Sequence, residues 1–296
     1  MFIIEFLKSL LYGIVEGITE WLPVSSTGHL ILLEELLPLK VAPTLGETFA
    51  DEYFSMFEVV IQLGAILAVV VMFFGKLNPF APSKSEGEKK RTWTLWFKVA
   101  VASIPAAFIG VVFDKILEKL SGKDIDGWIY NPWVVAGALI VYGILFILIE
   151  YLHKGKEARI TEVEDISFSQ AALVGCFQAL SIVPGTSRSG STILGSRLIG
   201  IGRSAAAEFS FFMGIPAMAG ASLIKGYGFI DYVLENDIAV PAQAWILLAV
   251  ASAVAFGVSM LAIRFLIDFV KKHSFAPFGI YRIVLGVLVL LYFILR

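Results

Sequence analysis

Along this chain the apolar residues come in runs, and the run lengths predict the elements. Six runs are long enough to cross a hydrocarbon core of about 30 Å at about 1.5 Å per helical residue. They fall at 53–74, 93–113, 132–152, 204–225, 242–270 and 277–296. Two other apolar stretches are interrupted. In the first, 2–22 is marginal and 29–39 too short to cross, with a polar tip at 23–28. In the second, 168–183 and 193–201 flank the polar string PGTSRSGST. Each predicts a re-entrant helical hairpin, since non-helical backbone at membrane depth is tolerated only inside protein or beside a wet cavity.

The order of elements repeats. At an offset of 162, Gly13 meets Gly175, Glu16 meets Gln178, Ser25 meets Ser187 and Gly28 meets Gly190. At an offset of 150, Glu58 meets Glu208 and Gly64 meets Gly214. The halves, about 1–152 and 165–296, each carry one hairpin and three spans, within a single integral membrane domain. Three spans is an odd number, so the second half enters from the opposite side. The expected fold is therefore an all-α polytopic membrane protein, with six transmembrane helices and two re-entrant hairpins in an inverted-topology repeat. In such repeats the broken elements meet near the midplane, so the two polar tips are expected to face each other.

Loop charge assigns the sides. The 75–92 loop holds Lys76, Lys84, Lys89, Lys90 and Arg91, and 153–167 holds Lys154, Lys156 and Arg159. The 114–131 loop sets three lysines among four acids, and 226–241 has no Lys or Arg but Asp231, Glu235 and Asp237. The first pair is expected inside and the second outside, which puts both termini outside and brings the first hairpin in from the outer face.

Composition agrees with the pattern. Of 296 residues 58% are hydrophobic and only 16% charged, and mean hydropathy is +0.83. A net charge of -2 argues against nucleic acid as a partner. The one cysteine, Cys176, excludes an internal disulfide and a cysteine-based metal site. No basic leader region or small-residue cleavage site precedes Glu16, so Met1 onward is taken as mature chain.

The candidate chemistry lies in the tips. Within EGITEWLPVSSTGH, Glu16 and Glu20 stand at i, i+4 and share a helix face. Pro23 ends that helix. Ser25, Ser26, Thr27 and His29 follow, at a helix start whose unpaired N–H groups suit an anion. The second tip adds Arg188 among Ser187, Ser189 and Thr192. An arginine at membrane depth must be paired, and its fork of donors fits phosphate oxygens. A salt bridge to Glu16 or Glu20 is the plain structural alternative. Charge neutralisation, a nucleophile and a proton carrier are what phosphoryl transfer requires, and the carboxylate pair could hold a Mg²⁺ or Ca²⁺ bridging a pyrophosphate. Glu58, Gln62 and Glu208 are expected around the tips, or paired with Arg282. His153 and His273 are expected in surface loops, Arg264 and Lys271 as snorkelling cations, and Trp93, Trp96, Trp128 and Trp133 in an interfacial belt.

At these residues the sequence resembles the bacterial undecaprenyl-pyrophosphate phosphatase family, the bacitracin-resistance proteins. EGITEWLPVSSTGH and PGTSRSGST match its two motifs, and FEVVIQLGAILAVVVMF, AAAEFSFFMGIPAM and SFAPFGIYRIVLG resemble further family blocks. The resemblance implies an enzyme of the cytoplasmic membrane that removes the terminal phosphate of a C55 polyprenyl pyrophosphate. This regenerates the carrier for cell-wall glycan export, and so serves peptidoglycan synthesis, cell shape and bacitracin resistance. It implies a site open to the periplasmic or outer face, with Glu16 and Glu20 as catalytic or metal-binding carboxylates, Ser26 as nucleophile, His29 as acid/base and Arg188 as phosphate clamp. Ser25, Thr27, Ser187, Ser189 and Thr192 are the further pyrophosphate-binding candidates. Attack by Ser26 and attack by a His29-activated water both stay open. Expected partners are the polyprenyl pyrophosphate and membrane lipids, with a homodimer left open. The rival reading is a lipid-phosphate flippase or anion transporter on the same scaffold, disfavoured by the adjacency of Ser26 and His29.

Overall fold

The computed structural model describes residues 2–121, 129 and 131–295, and all of its regular structure is helical. In chain order the helices are α1 (Phe2–Thr19), α2 (Ser26–Leu36), α3 (Glu47–Met72), α4 (Phe74–Leu77), α5 (Glu86–Ala107), α6 (Asp114–Ser121), α7 (Pro132–Leu152), α8 (Phe168–Ala179), α9 (Arg188–Leu198), α10 (Arg203–Glu235), α11 (Ala242–Lys272) and α12 (Ala276–Leu295). Six of them are long and apolar enough to cross a membrane: α3, α5 with its extension to Val112, α7, α10, α11 and α12. This is the architecture of a multi-pass membrane protein. Trp128, Lys123, Asp124 and Asp126, used above for the belt and the loop charges, lie outside the described residues.

Where boundaries differ from expectation, local chemistry explains them. Helix α5 starts at Glu86, seven residues early, because Ser85 and Glu88 form a reciprocal capping box. Its far end passes Pro105 and widens into a π-helical turn at Phe108–Phe113, as expected where a proline removes a main-chain donor. Helix α10 runs on to Glu235 through a stretch expected to be loop. That extension contains no proline, and Phe229 is buried there against Phe49, Tyr53 and Trp245.

Two helix pairings position the tips. Helix α1 lies on α11 so closely that a Cβ at Gly13 would come within 2.5 Å of the Ala251 carbonyl. Helix α8 lies on α5 the same way, with Gly175 against the Ala102 carbonyl at 2.2 Å. Small residues are what permit such approach between apolar helices. The first helix of each broken element thus leans on a span from the other half of the chain. The last span of each half, α7 and α12, pack on each other at Gly143 and Gly279.

Candidate active site

Both tips are built by one device. Helix α1 ends at Thr19 and α2 starts at Ser26; α8 ends at Ala179, a short 3-10 turn follows at Leu180–Ile182, and α9 starts at Arg188. The second helices therefore start inside the hydroxyl-rich strings, three and five residues earlier than the apolar pattern indicates, because the residue before each is its cap. Ser25 (φ 77°) and Ser187 (φ 71°) both hold left-handed backbone, a conformation that costs about 1–2 kcal/mol for a residue with a Cβ. Each hydroxyl accepts a main-chain N–H, from Gly28 at 3.2 Å and from Gly190 at 3.1 Å. One capping hydroxyl leaves other first-turn N–H groups of α2 and α9 without helical acceptors.

Arg282 fastens the tips together. It is wholly buried, and its guanidinium donates to the carbonyls of Pro23 (3.1 Å), Gly185 (2.7 Å) and Thr186 (2.8 Å). The expected partner Glu208 lies elsewhere, on Lys76 at 2.6 Å. Burial works against the Lys76 charge, but the Glu208 carboxylate outweighs it and holds the ammonium above the ordinary lysine value.

Between the tips, Glu20 is bonded on both oxygens. Ser26 Oγ donates to Oε2 at 2.6 Å, while Arg188 donates to Oε1 from Nη2 at 2.9 Å and Nε at 3.3 Å. Arg188 Nη1 donates to the Ser210 carbonyl at 2.7 Å, and its guanidinium lies 5.8 Å from the Trp21 ring centre. Ser189 Oγ donates to the Glu20 carbonyl at 3.0 Å, a direct stitch from second tip to first. A cavity of about 260 Å³ opens beside this group, lined by Glu20, Ser26, Thr27, Ser187 and Arg188 among others. A hydroxyl bonded to a carboxylate whose other oxygen is held by a cation, beside a cavity, is an arrangement for nucleophilic attack on an anionic centre.

The family model for bacitracin resistance protein BacA matches residues 9–288, and so covers both tips and the arginine that fastens them. The chain belongs to the BacA family. Similar relatives carry the name undecaprenyl-diphosphatase. That of Streptococcus suis strain 05ZYH33 is 49% identical over 291 residues, 98% of this chain and 97% of its own. That of Streptococcus mutans is 48% identical over 296 residues, 100% of this chain and 99% of its own. The Enterococcus faecalis relative is 48% identical over 287 residues, 97% of each chain.

The remaining candidates of this BacA-family chain divide. Glu16 is wholly buried one turn before Glu20, with both carboxylate oxygens lacking a hydrogen-bond partner. His29 sits one turn after Ser26, but neither ring nitrogen touches it: Nδ1 faces the Ser25 carbonyl at 2.6 Å and Nε2 the Tyr281 hydroxyl at 2.7 Å. A carbonyl only accepts, so Nδ1 carries the hydrogen and Nε2 of the neutral ring accepts from Tyr281. Ser25 and Ser187 are occupied as caps, and Thr192 Oγ1 lies 2.7 Å from Ser210 Oγ in the wall of α10. Among the described residues no group of three or more His, Cys, Asp or Glu is placed to hold a metal ion.

Of the other expectations, Gln62 lines the cavity. His153 and His273 cap the ends of α7 and α11, Arg264 is exposed, and Lys271 pairs with Asp268. Trp93 and Trp133 are exposed, whereas Trp96 donates to the Leu77 carbonyl at 2.8 Å. Sequence reasoning missed Tyr281 and Ser210, which lie 252 residues from His29 and 22 from Arg188. No local spacing announces either contact.

Proposed function

We propose that this chain is an undecaprenyl-diphosphatase of the bacterial cytoplasmic membrane, hydrolysing the terminal phosphate of a C55 polyprenyl pyrophosphate and so supporting cell-wall synthesis and bacitracin resistance. One observation carries the chemistry: the Ser26 hydroxyl is bonded to Glu20 while Arg188 holds the other oxygen of the same carboxylate, at one wall of the cavity. Ser26 Oγ attacks the terminal phosphorus and Glu20 takes its proton. Arg188 and the free first-turn N–H groups, with the Thr27 hydroxyl beside them in the cavity wall, stabilise the phosphoryl oxygens, while Ser187, Ser189 and Thr192 hold the second tip in place through their bonds to Gly190, the Glu20 carbonyl and Ser210. The bond to the bridging oxygen breaks and the polyprenyl monophosphate leaves. Water then attacks the phosphoserine, giving its proton to His29, and Glu20 returns a proton to Ser26 Oγ. The i, i+3 spacing of Ser26 and His29 on α2 supports this second role, with the ring turning off Tyr281.

Glu16 and Glu20 would hold a divalent cation. Two carboxylates suit Mg²⁺ when substrate phosphates complete its shell, and the unpartnered oxygens of Glu16 fit that use. When bound, the ion would neutralise pyrophosphate charge. We further read the two halves as an inverted-topology repeat whose broken elements are re-entrant. The matched caps at Ser25 and Ser187 and the crosswise leaning of α1 on α11 and α8 on α5 support it. Loop lysines and arginines support termini outside and a site open to the outer face.

Phosphate release from polyprenyl pyrophosphate by purified protein in detergent tests the reading. Ser26→Ala and Arg188→Ala are expected to reduce it by roughly a hundredfold or more, about 2.7 kcal/mol of transition-state stabilisation. A folded protein that binds the lipid but releases no phosphate, with or without Mg²⁺ or Ca²⁺, would instead point to a flippase or anion transporter.

A further inference from the structure

The cavity beside Ser26 has a second polar wall. Gln178, on α8, lines it together with the charged group, is 2% exposed, and has neither its amide nitrogen nor its amide oxygen hydrogen-bonded. Nearly all buried side-chain amides find partners. The main chain at this residue is satisfied, since the Gln178 carbonyl accepts from Ser181 Oγ at 2.7 Å. Only the functional end of the side chain is left over. The volume of about 260 Å³ is also several times the ~30 Å³ that one water occupies in the liquid. There is room for a group larger than the phosphoryl that Ser26 and Arg188 would hold.

We propose that Gln178 binds the phosphate that stays on the lipid product; this rests on the phosphatase reading above. The internal repeat supplies the second argument. Gln178 stands where the first half has Glu16, and both side chains are buried and unpartnered beside the same tips. The carboxylate repels a phosphate oxygen unless a cation intervenes; the amide does not. Its NH₂ donates to a phosphate oxygen and its carbonyl accepts from a protonated one, so it serves either protonation state. The cavity is thus divided by chemistry. Its charged side, with Arg188, Glu20 and Ser26, acts on the terminal phosphoryl group. Its neutral side, with Gln178 and with Gln62 of α3, retains the other phosphate without the charge that would hold the product too long.

The test compares the unmodified chain with Gln178→Leu, Gln178→Asn and Gln178→Glu. Measured are kcat and KM for polyprenyl pyrophosphate, direct equilibrium binding of polyprenyl monophosphate, and inhibition by inorganic phosphate. Gln178→Leu is expected to weaken monophosphate binding and raise KM by about tenfold, with kcat and inorganic-phosphate inhibition within about twofold. Gln178→Glu, which adds charge, is expected to weaken binding further. Gln178→Asn, which keeps the amide on a shorter stem, judges the proposal should Gln178→Leu fail to fold, and is expected to weaken monophosphate binding selectively. Unchanged monophosphate binding in a folded variant, or an equal loss toward inorganic phosphate, would overturn it. An unmodified chain that binds the monophosphate but releases no phosphate would refute the phosphatase reading, and binding would still decide the role of Gln178.

Discussion

Glu20→Gln separates the two routes to phosphoryl transfer that the tips allow. The substitution preserves shape, so the amide can still accept from Ser26 or Arg188, but the negative charge is gone. In the unmodified chain that charge faces Ser26 Oγ at 2.6 Å and two Arg188 nitrogens at 2.9 and 3.3 Å. Loss of a positioned base costs about 10²–10⁴ in rate, or about 2.7–5.5 kcal/mol. The partly buried Arg188 is at the same time released from its counterion, which leaves it more available to a phosphate. The expected signature is therefore a fall in kcat of at least about a hundredfold with KM unchanged or lower. Single-turnover phosphate release in detergent micelles measures both. A Glu20→Gln enzyme within about tenfold of the unmodified rate would refute Glu20 as the base for Ser26, and attack by a His29-activated water would take its place.

Other perturbations probe the same arrangement. His29→Gln is expected to block the second half-reaction, so mass spectrometry of quenched enzyme should find a phosphoryl group on Ser26 that Glu20→Gln never shows. Arg282→Met removes all three bonds to the tip carbonyls; with about 1–3 kcal/mol for each acceptor left buried and unsatisfied, it should lower the thermal midpoint measurably and abolish phosphate release without touching substrate. Gly185→Ala puts a Cβ at φ 91° within 2.5 Å of the Val135 carbonyl, so it should cripple folding or activity where substitution of the open Gly137 does neither. Chelation should slow turnover of polyprenyl pyrophosphate, and Mg²⁺ or Ca²⁺ should restore it. Inorganic pyrophosphate, with no lipid tail to enter between spans, should be a poor substrate.

The sequence made legible what depends on neighbours in the chain. Apolar run lengths locate the six long helices, because main-chain polar groups in an apolar medium must be satisfied internally and runs of about 20 residues suit a helix where a barrel strand needs about 10. The i, i+4 glutamates and the string SRS announced a paired buried charge, and Arg188 does bond Glu20. Both second helices start earlier than hydropathy indicates, because a Ser in left-handed backbone caps a helix that the apolar pattern alone starts at the first apolar residue. Contacts across the fold were illegible. Arg282 had a carboxylate, Glu208, among its plausible partners in sequence, yet it bonds three carbonyls, because a broken helix end exposes acceptors that only a buried donor can satisfy.

Two broken helical elements give the chain something that unbroken spans lack. An unbroken membrane helix satisfies its main chain internally and offers a ligand side chains alone. A helix that starts within the protein offers free N–H groups at its positive end, and this chain brings two such starts together at Ser26 and Arg188. Each break strands carbonyls, and Arg282 satisfies those of Pro23, Gly185 and Thr186 with one buried cation. The halves are not chemically equal. At the offset of 162, Glu16, Ser25 and Ser26 stand against Gln178, Ser187 and Arg188, and Glu20 stands against Ile182. A symmetric pair of tips would set carboxylate against carboxylate or arginine against arginine across the cavity. Divergence at Glu16 and Gln178, and of Ser26 from Arg188, gives one tip the base and nucleophile and the other the cation and amide. Exchanging the pair, Ser26→Arg with Arg188→Ser, should therefore leave a folded but inactive protein, whereas two sites of equal chemistry would tolerate the exchange.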